Sequence, residues 1–207
     1  MPYCPRVASD DPPGRVLLLR HGETEWSANG RHTGRSDVPL TERGRARARA
    51  TGARGARLLR GRAPALVLSS PRSRARDTAA LAGLRVDRVD ERLAEWDYGG
   101  YEGLTTPQIR ETDPGWTVWT HPSPGGETSG QVQARADAVL ADAAAALDGG
   151  DVVLVGHGHF SRVLVARWVG LPASEGVRFA MDAASWAVLG HERGVRRCDH
   201  ANLSDLT

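Results

Sequence analysis

Arg15-Val16-Leu17-Leu18-Leu19-Arg20-His21-Gly22 is the stretch that decides how the 207-residue chain is read. After Arg15 the run Val16 to Leu19 is apolar without alternation, the pattern of a strand buried on both faces of a parallel sheet. It stops at an Arg-His-Gly triplet. In an open α/β sheet ligands bind beyond the carboxyl ends of the strands, so this triplet is delivered into a crevice. Two further runs, Ala65–Ser69 and Asp151–Gly156, have the same character. Each precedes a segment of helix-forming composition, Arg72–Leu81 and His159–Val169. Strands alternating with helices imply an α/β fold, a three-layer α/β/α sandwich around a mostly parallel central sheet.

The rest of the chain fits around these units. Thr41 is placed to cap a long Ala/Arg helix that reaches Arg60, and a second Ala-rich helix is expected from Glu127 to Leu147, ended by Gly149-Gly150. Ser185–Gly190 and Val195–Cys198 read as closing strands. Residues 1–13, with Pro2, Pro5, Pro12 and Pro13, read as a flexible N-terminal tail. Residues 14–207 then form a single domain. The interval Glu95–Gly126 is rich in Gly and Pro with one short helix expected near Thr105–Glu111, and reads as an insertion or lid over a site.

Composition narrows the function classes. With 40% hydrophobic and 25% charged residues the chain is an ordinary globular one. All 27 basic residues are arginine, and the net charge of +2 conceals an asymmetry. Residues 1–100 hold 19 Arg against 12 acids (+7), while residues 101–207 hold 8 against 13 (−5). No apolar run approaches the roughly 18 residues that span a bilayer, and no secretory h-region is visible, so a cytoplasmic protein is expected. Cys4 and Cys198 make no metal spacing and read as free thiols, a terminal disulfide being the rival.

Three strand ends carry chemistry-bearing residues. The first delivers Arg20-His21-Gly22, the second Ser70-Pro71-Arg72-Ser73-Arg74-Ala75, the third His157-Gly158-His159. Histidine is a nucleophile toward phosphorus, and guanidinium groups bind the transferred oxygens bidentately. Arginine and histidine converging on one sheet edge are the donors that a phosphoryl group, with charge spread over three oxygens, requires.

In these residues the chain resembles the histidine phosphatase superfamily, with its phosphoglycerate-mutase-like fold. The resemblance runs from about Val16 to about Leu189 and includes Gly30-Arg31-His32-Thr33-Gly34, Pro39-Leu40-Thr41 through Gly44, Ser70-Pro71 through Arg74-Ala75 to Thr78-Ala79, Glu95 through Tyr98-Gly99 to Glu102-Gly103, and His157. It implies that His21 is the phosphate-accepting nucleophile, forming a phosphohistidine that water hydrolyses. Arg20, Arg74 and His157 would complete the phosphate pocket, and Glu95 would be the general acid that protonates the leaving alcohol. Ser27, Thr33, Gly34 and Gly158 are assigned to substrate binding on the same grounds, and His32, Tyr98 and His159 to sugar hydroxyls or a second phosphate. No metal or cofactor is implied.

Within the family, the segments around Glu25-Trp26-Ser27, Glu95–Gly99 and His157–Phe160 are most similar to the branch of sedoheptulose bisphosphatases and related bacterial acid phosphatases. The chain departs from the family in having Ser27 where Asn is frequent. A mutase also needs a basic pair in the insertion to retain a doubly charged substrate, and no arginine lies between Glu111 and Gln133. A phosphomonoesterase acting on a small phosphorylated metabolite, a sugar phosphate or bisphosphate, is therefore expected. Mutase-type transfer is the alternative. A third reading starts from Arg43–Arg62, where eight arginines occur in 20 residues without an acid, a composition that nucleic-acid-binding helices share; a solvated helix face is the preferred account, and no nucleic-acid or membrane partner is expected. Homo-oligomerisation is left open.

Overall fold

The structure, a computed structural model, describes residues 14–204; the expected tail and Cys4 lie outside them. Six strands form one sheet: β1 (Val16–Arg20), β2 (Leu66–Ser69), β3 (Arg88–Val89), β4 (Val152–Gly156), β5 (Trp186–Glu192) and β6 (Val195–Leu203). Their spatial order is β3-β2-β4-β1-β5-β6. The first four are parallel, and β5 and β6 close the sheet antiparallel on the far side of β1. The central apolar runs are buried on both faces, as continuous rather than alternating patterns demand. Val16, Leu18, Val152 and Leu154 face one layer, while Leu17, Leu19, Val153 and Val155 face the other.

The two layers differ in texture. On one side lie α5 (Ser129–Ala145) and α6 (Gly158–Trp168), packed with Trp96, Trp116, Trp119, Phe160 and Trp168. On the other lie α2 (Glu42–Leu58) and α3 (Ser73–Leu81). α2 buries only a narrow stripe of small residues, Gly44, Ala48, Thr51 and Gly55. A Cβ on Gly55 would stand 2.6 Å from the Trp186 ring, so the small residue lets the helix sit directly on β5.

Helix ends follow local chemistry. The Thr41 side chain accepts from Gly44 N and starts α2 as expected. α5 starts at Ser129 rather than Glu127, because Thr128 caps it reciprocally with Gln131, while Glu127 pairs with Arg135 at 2.7 Å. The interval 95–126 contains α4 (Thr106–Thr112), also capped by a Thr-Gln box, and buries Trp96, Tyr98, Ile109, Trp116 and Trp119. Trp116 and Trp119 are thus packing residues. The short α1 (Glu25–Ala28) follows the Arg-His-Gly triplet, and the two-residue edge strand β3 had no readable pattern of its own.

Candidate active site

Parallel pairing puts the chemistry together. Arg20 is in register with Gly156, so the next residues, His21 and His157, emerge side by side, their rings edge-on at 5.2 Å. Ser69 is in register with Val155, which brings Ser70 to the same edge. Gly22 is dictated by proximity: a Cβ there would lie 2.6 Å from the Gly44 carbonyl oxygen, where the start of α2 passes the triplet.

His21 is 5% exposed, and its Nδ1 lies 2.6 Å from the Gly22 carbonyl oxygen. A carbonyl only accepts, so Nδ1 carries the ring proton and Nε2 keeps its lone pair. Burial first, then the guanidinium groups of Arg20 and Arg74, hold this imidazole well below the ordinary histidine range. It is a neutral base with Nε2 available.

Arg20 and Arg74 surround it with charge. Arg20 donates from Nη1 to the Met181 carbonyl oxygen at 2.5 Å. Arg74 is 0% exposed and donates to the carbonyl oxygens of Ser36 (2.7 Å) and Thr33 (3.1 Å). The Nε of each is buried with no hydrogen-bond partner among the described residues, as is His157 Nδ1. Desolvation pulls both guanidinium pKa values down, with Glu95 the largest opposing influence. Buried donors without partners on one sheet edge make a receptor for an anion.

Glu95 lies across the first turn of α6, accepting from His159 N (2.9 Å), Phe160 N (2.8 Å) and its own neighbour Trp96 N (2.9 Å). Beyond it the wall is largely aromatic. The Tyr98 hydroxyl is 2.6 Å from His159 Nδ1, and burial raises the phenol while lowering the imidazole well below the ordinary histidine range. The phenol therefore donates and the ring is neutral. His32, held down to about 4 by burial, packs on Tyr98 and Trp116, with Nε2 at 3.1 Å from Thr106 Oγ1.

A cleft of about 170 Å³ opens between these groups. Of the expected residues, Arg20, His21, Ser27, His32, Thr33, Glu95, Tyr98, Gly158 and His159 line it. Arg74 and His157 are fully buried within electrostatic reach of His21. Gly34 is buried behind the wall, its amide held by Glu102 and its carbonyl oxygen 3.4 Å from Arg74 Nη2. The Ser27 hydroxyl serves a capping box with Thr24. Arg31, Arg162 and Met181 also line the cleft. Arg162 is set over the Trp119 ring at 4.5 Å. Met181 had no sequence signal, since only its backbone oxygen is used. A larger hollow of about 420 Å³ lies on the α2–α3 side but presents Gly, Ala and Leu with Arg62, Arg85 and Asp87, and no histidine.

The family model for the histidine phosphatase superfamily (branch 1) matches residues 16–204. The chain is 54% identical to an acid phosphatase of Mycobacterium tuberculosis over 183 residues, 88% of this chain and 89% of the relative. It is 33% identical to sedoheptulose 1,7-bisphosphatase of Saccharomyces cerevisiae, covering 76% and 68%, and 37% identical to glucosyl-3-phosphoglycerate phosphatase of M. tuberculosis, covering 86% of each. A solved structure of a functionally characterised M. tuberculosis open reading frame product superposes with a TM-score of 0.89 at 52% identity, covering 92% of this chain and 98% of that one. The chain belongs to the histidine phosphatase superfamily. It is a phosphatase of that class, and its fold is the phosphoglycerate-mutase-like one.

Proposed function

We propose that the protein hydrolyses a small phosphate monoester, a sugar phosphate or bisphosphate, through a phosphohistidine on His21. The observation that carries this reading is the His21 ring: Nδ1 is committed to the Gly22 carbonyl oxygen, leaving a neutral Nε2 beside Arg20, Arg74 and His157. Nε2 attacks phosphorus, the P–N bond forms and the ester P–O bond breaks, and Glu95 gives a proton to the departing oxygen. Water then attacks the phosphohistidine, Glu95 takes its proton, and the P–N bond breaks to free inorganic phosphate. The arginines and His157 hold the phosphoryl oxygens throughout.

The leaving group lies along His32, Tyr98 and His159. Neutral imidazoles, a phenol and aromatic faces suit hydroxyl-bearing carbon skeletons, and the relatives named for sedoheptulose bisphosphate and glucosyl-3-phosphoglycerate support a sugar phosphate. Buried Trp116 and Trp119 occupy the segment where a mutase needs a basic pair, which favours release to water over retention. The reading includes metal independence and a cytoplasmic location. Among the described residues no group of three or more His, Cys, Asp or Glu could hold a metal ion, and no helix is long and apolar enough to cross a membrane.

The test is phosphate release from a panel of sugar mono- and bisphosphates and 3-phosphoglycerate, with alkaline denaturing-quench trapping of labelled enzyme, since a phosphohistidine survives alkali. Wild type should release phosphate with EDTA present and carry label on histidine; His21→Ala should do neither. Unchanged turnover by His21→Ala overturns the nucleophile assignment.

A further inference from the structure

Ser70, the first residue beyond β2, and His157, the first beyond β4, are both 0% exposed. Ser70 N donates to the Val155 carbonyl oxygen at 2.9 Å, fixing its backbone against β4, and Ser70 Oγ stands 2.7 Å from His157 Nε2. A hydroxyl and an imidazole nitrogen can share a proton in either direction, and the neighbour of the hydroxyl decides which. The Arg72 amide points at Ser70 Oγ from 3.4 Å. That amide only donates and takes one lone pair of the oxygen, and among the described residues Nε2 is the one acceptor within reach of the hydroxyl hydrogen, so the hydroxyl donates to Nε2.

The ring proton then sits on Nδ1, the atom that is buried without a partner among the described residues. The opposite tautomer would bury a bare lone pair on Nδ1, which would repel the phosphoryl oxygens that the proposed function brings to this ring. Burial first, then the Arg74 guanidinium, the His21 ring and the guanidiniums of Arg20 and Arg72, keep the ring neutral. An N–H on Nδ1 is therefore the only donor this ring has to offer.

We infer that Ser70 is a positioning residue: its hydroxyl donates to His157 Nε2 and fixes the ring as the Nδ1–H tautomer, so the second histidine meets a phosphoryl oxygen as a neutral donor. The inference rests on the placing of His157 in the phosphate pocket under the proposed function. Ser70 does not itself touch the substrate. Its loss is felt through the orientation and tautomer of His157, as when the group that orients a ligating or catalytic histidine is removed.

The experiment uses the full chain labelled with ¹⁵N-histidine, with inorganic phosphate as the ligand, and compares wild type with Ser70→Ala, Ser70→Thr, His157→Gln and the Ser70→Ala/His157→Gln double variant. In wild type the imidazole nitrogen shifts of His157 should show Nδ1 protonated and Nε2 bare. Ser70→Ala should lose that signature and lower kcat by about 10- to 100-fold, Ser70→Thr should restore both, and Ser70→Ala should add less than about twofold to His157→Gln because it acts through the same ring. Wild-type shifts in Ser70→Ala, a kcat within about twofold of wild type, or penalties that multiply in the double variant overturn the inference. If Ser70→Ala does not fold, the wild-type spectrum alone decides, since an Nε2-protonated His157 refutes it. Full activity in His157→Gln would instead remove His157 from the pocket, a failure of the underlying reading.

Discussion

The arginines of α2 and the arginine pair beside His21 carry the same group in opposite settings. Arg43, Arg49 and Arg57 on α2 are exposed; Arg43 reaches the buried Glu23, and Arg45 lies 3.7 Å from the half-buried Asp77. Arg74 is fully buried and Arg20 half-buried in the cleft wall, each held by backbone oxygens and left with a buried Nε that has no partner among the described residues. Charge on the helix face costs little because water solvates it, and it commits the chain to no particular partner. Charge on the sheet edge is held against desolvation, and the unfilled donors show what it is held for. The +7 of the first half is mostly the former kind; the anion site depends on two residues of the latter.

Predictions follow the strength of that contrast. Arg20→Ala and Arg74→Ala should each lower kcat/KM by about 10³-fold in steady-state phosphate release, since each removes a preorganised donor. Arg74→Lys should not rescue, because one ammonium cannot reach the Ser36 and Thr33 carbonyl oxygens and also the phosphoryl group; recovery to within tenfold would break the comparison. Glu95→Gln should cost about 10²-fold on an alkyl phosphate. It should cost less on p-nitrophenyl phosphate, whose leaving group needs no proton, so an equal loss on both would remove the general-acid role.

The buried side also predicts a pH dependence. His32 titrates at about 4 in the folded chain and near its ordinary 6.5 when unfolded, so the unfolded state binds more protons between these values. Its contribution is present above pH 6.5 and lost as pH falls toward 4, about 2–3 kcal/mol across the window. Chemical denaturation at pH 7 and pH 4.5 should show the loss, and His32→Gln should reduce it, with the remainder coming from His21, His157 and His159, which burial also holds below the ordinary range. Gly22→Ala, where the inner side of α2 meets the triplet, should cost about 2 kcal/mol of stability and lower Tm by several degrees, from the clash with the Gly44 carbonyl. At the small end, Arg49→Gln and Arg57→Gln should change stability by less than about 0.5 kcal/mol and leave kcat/KM within twofold.

Elements with a strong local signal were readable in advance. β1, β2 and β4 are doubly buried strands written as unbroken apolar runs, and Thr41 announces its helix. The helix starting at Ser129 was displaced by two residues because Glu127 is a better partner for Arg135 than a member of the first turn. The 95–126 interval, rich in turn residues, gave no hint that its aromatics reach the main core; that depends on α5 and α6 lying within reach.

By itself the sequence determined that Arg20, His21 and His157 lie at strand ends and Arg74 in the first turn of the helix that follows one, because strand polarity and length are local properties. It did not determine which nitrogen of each histidine is free. That follows from the partners of the rings, the Gly22 carbonyl for His21 and the Ser70 hydroxyl for His157. The second of these comes from a strand more than eighty residues away in sequence and adjacent only through the β2–β4 register. The tertiary structure alone decided this, since a proton is positioned by whichever acceptor or donor packs against it.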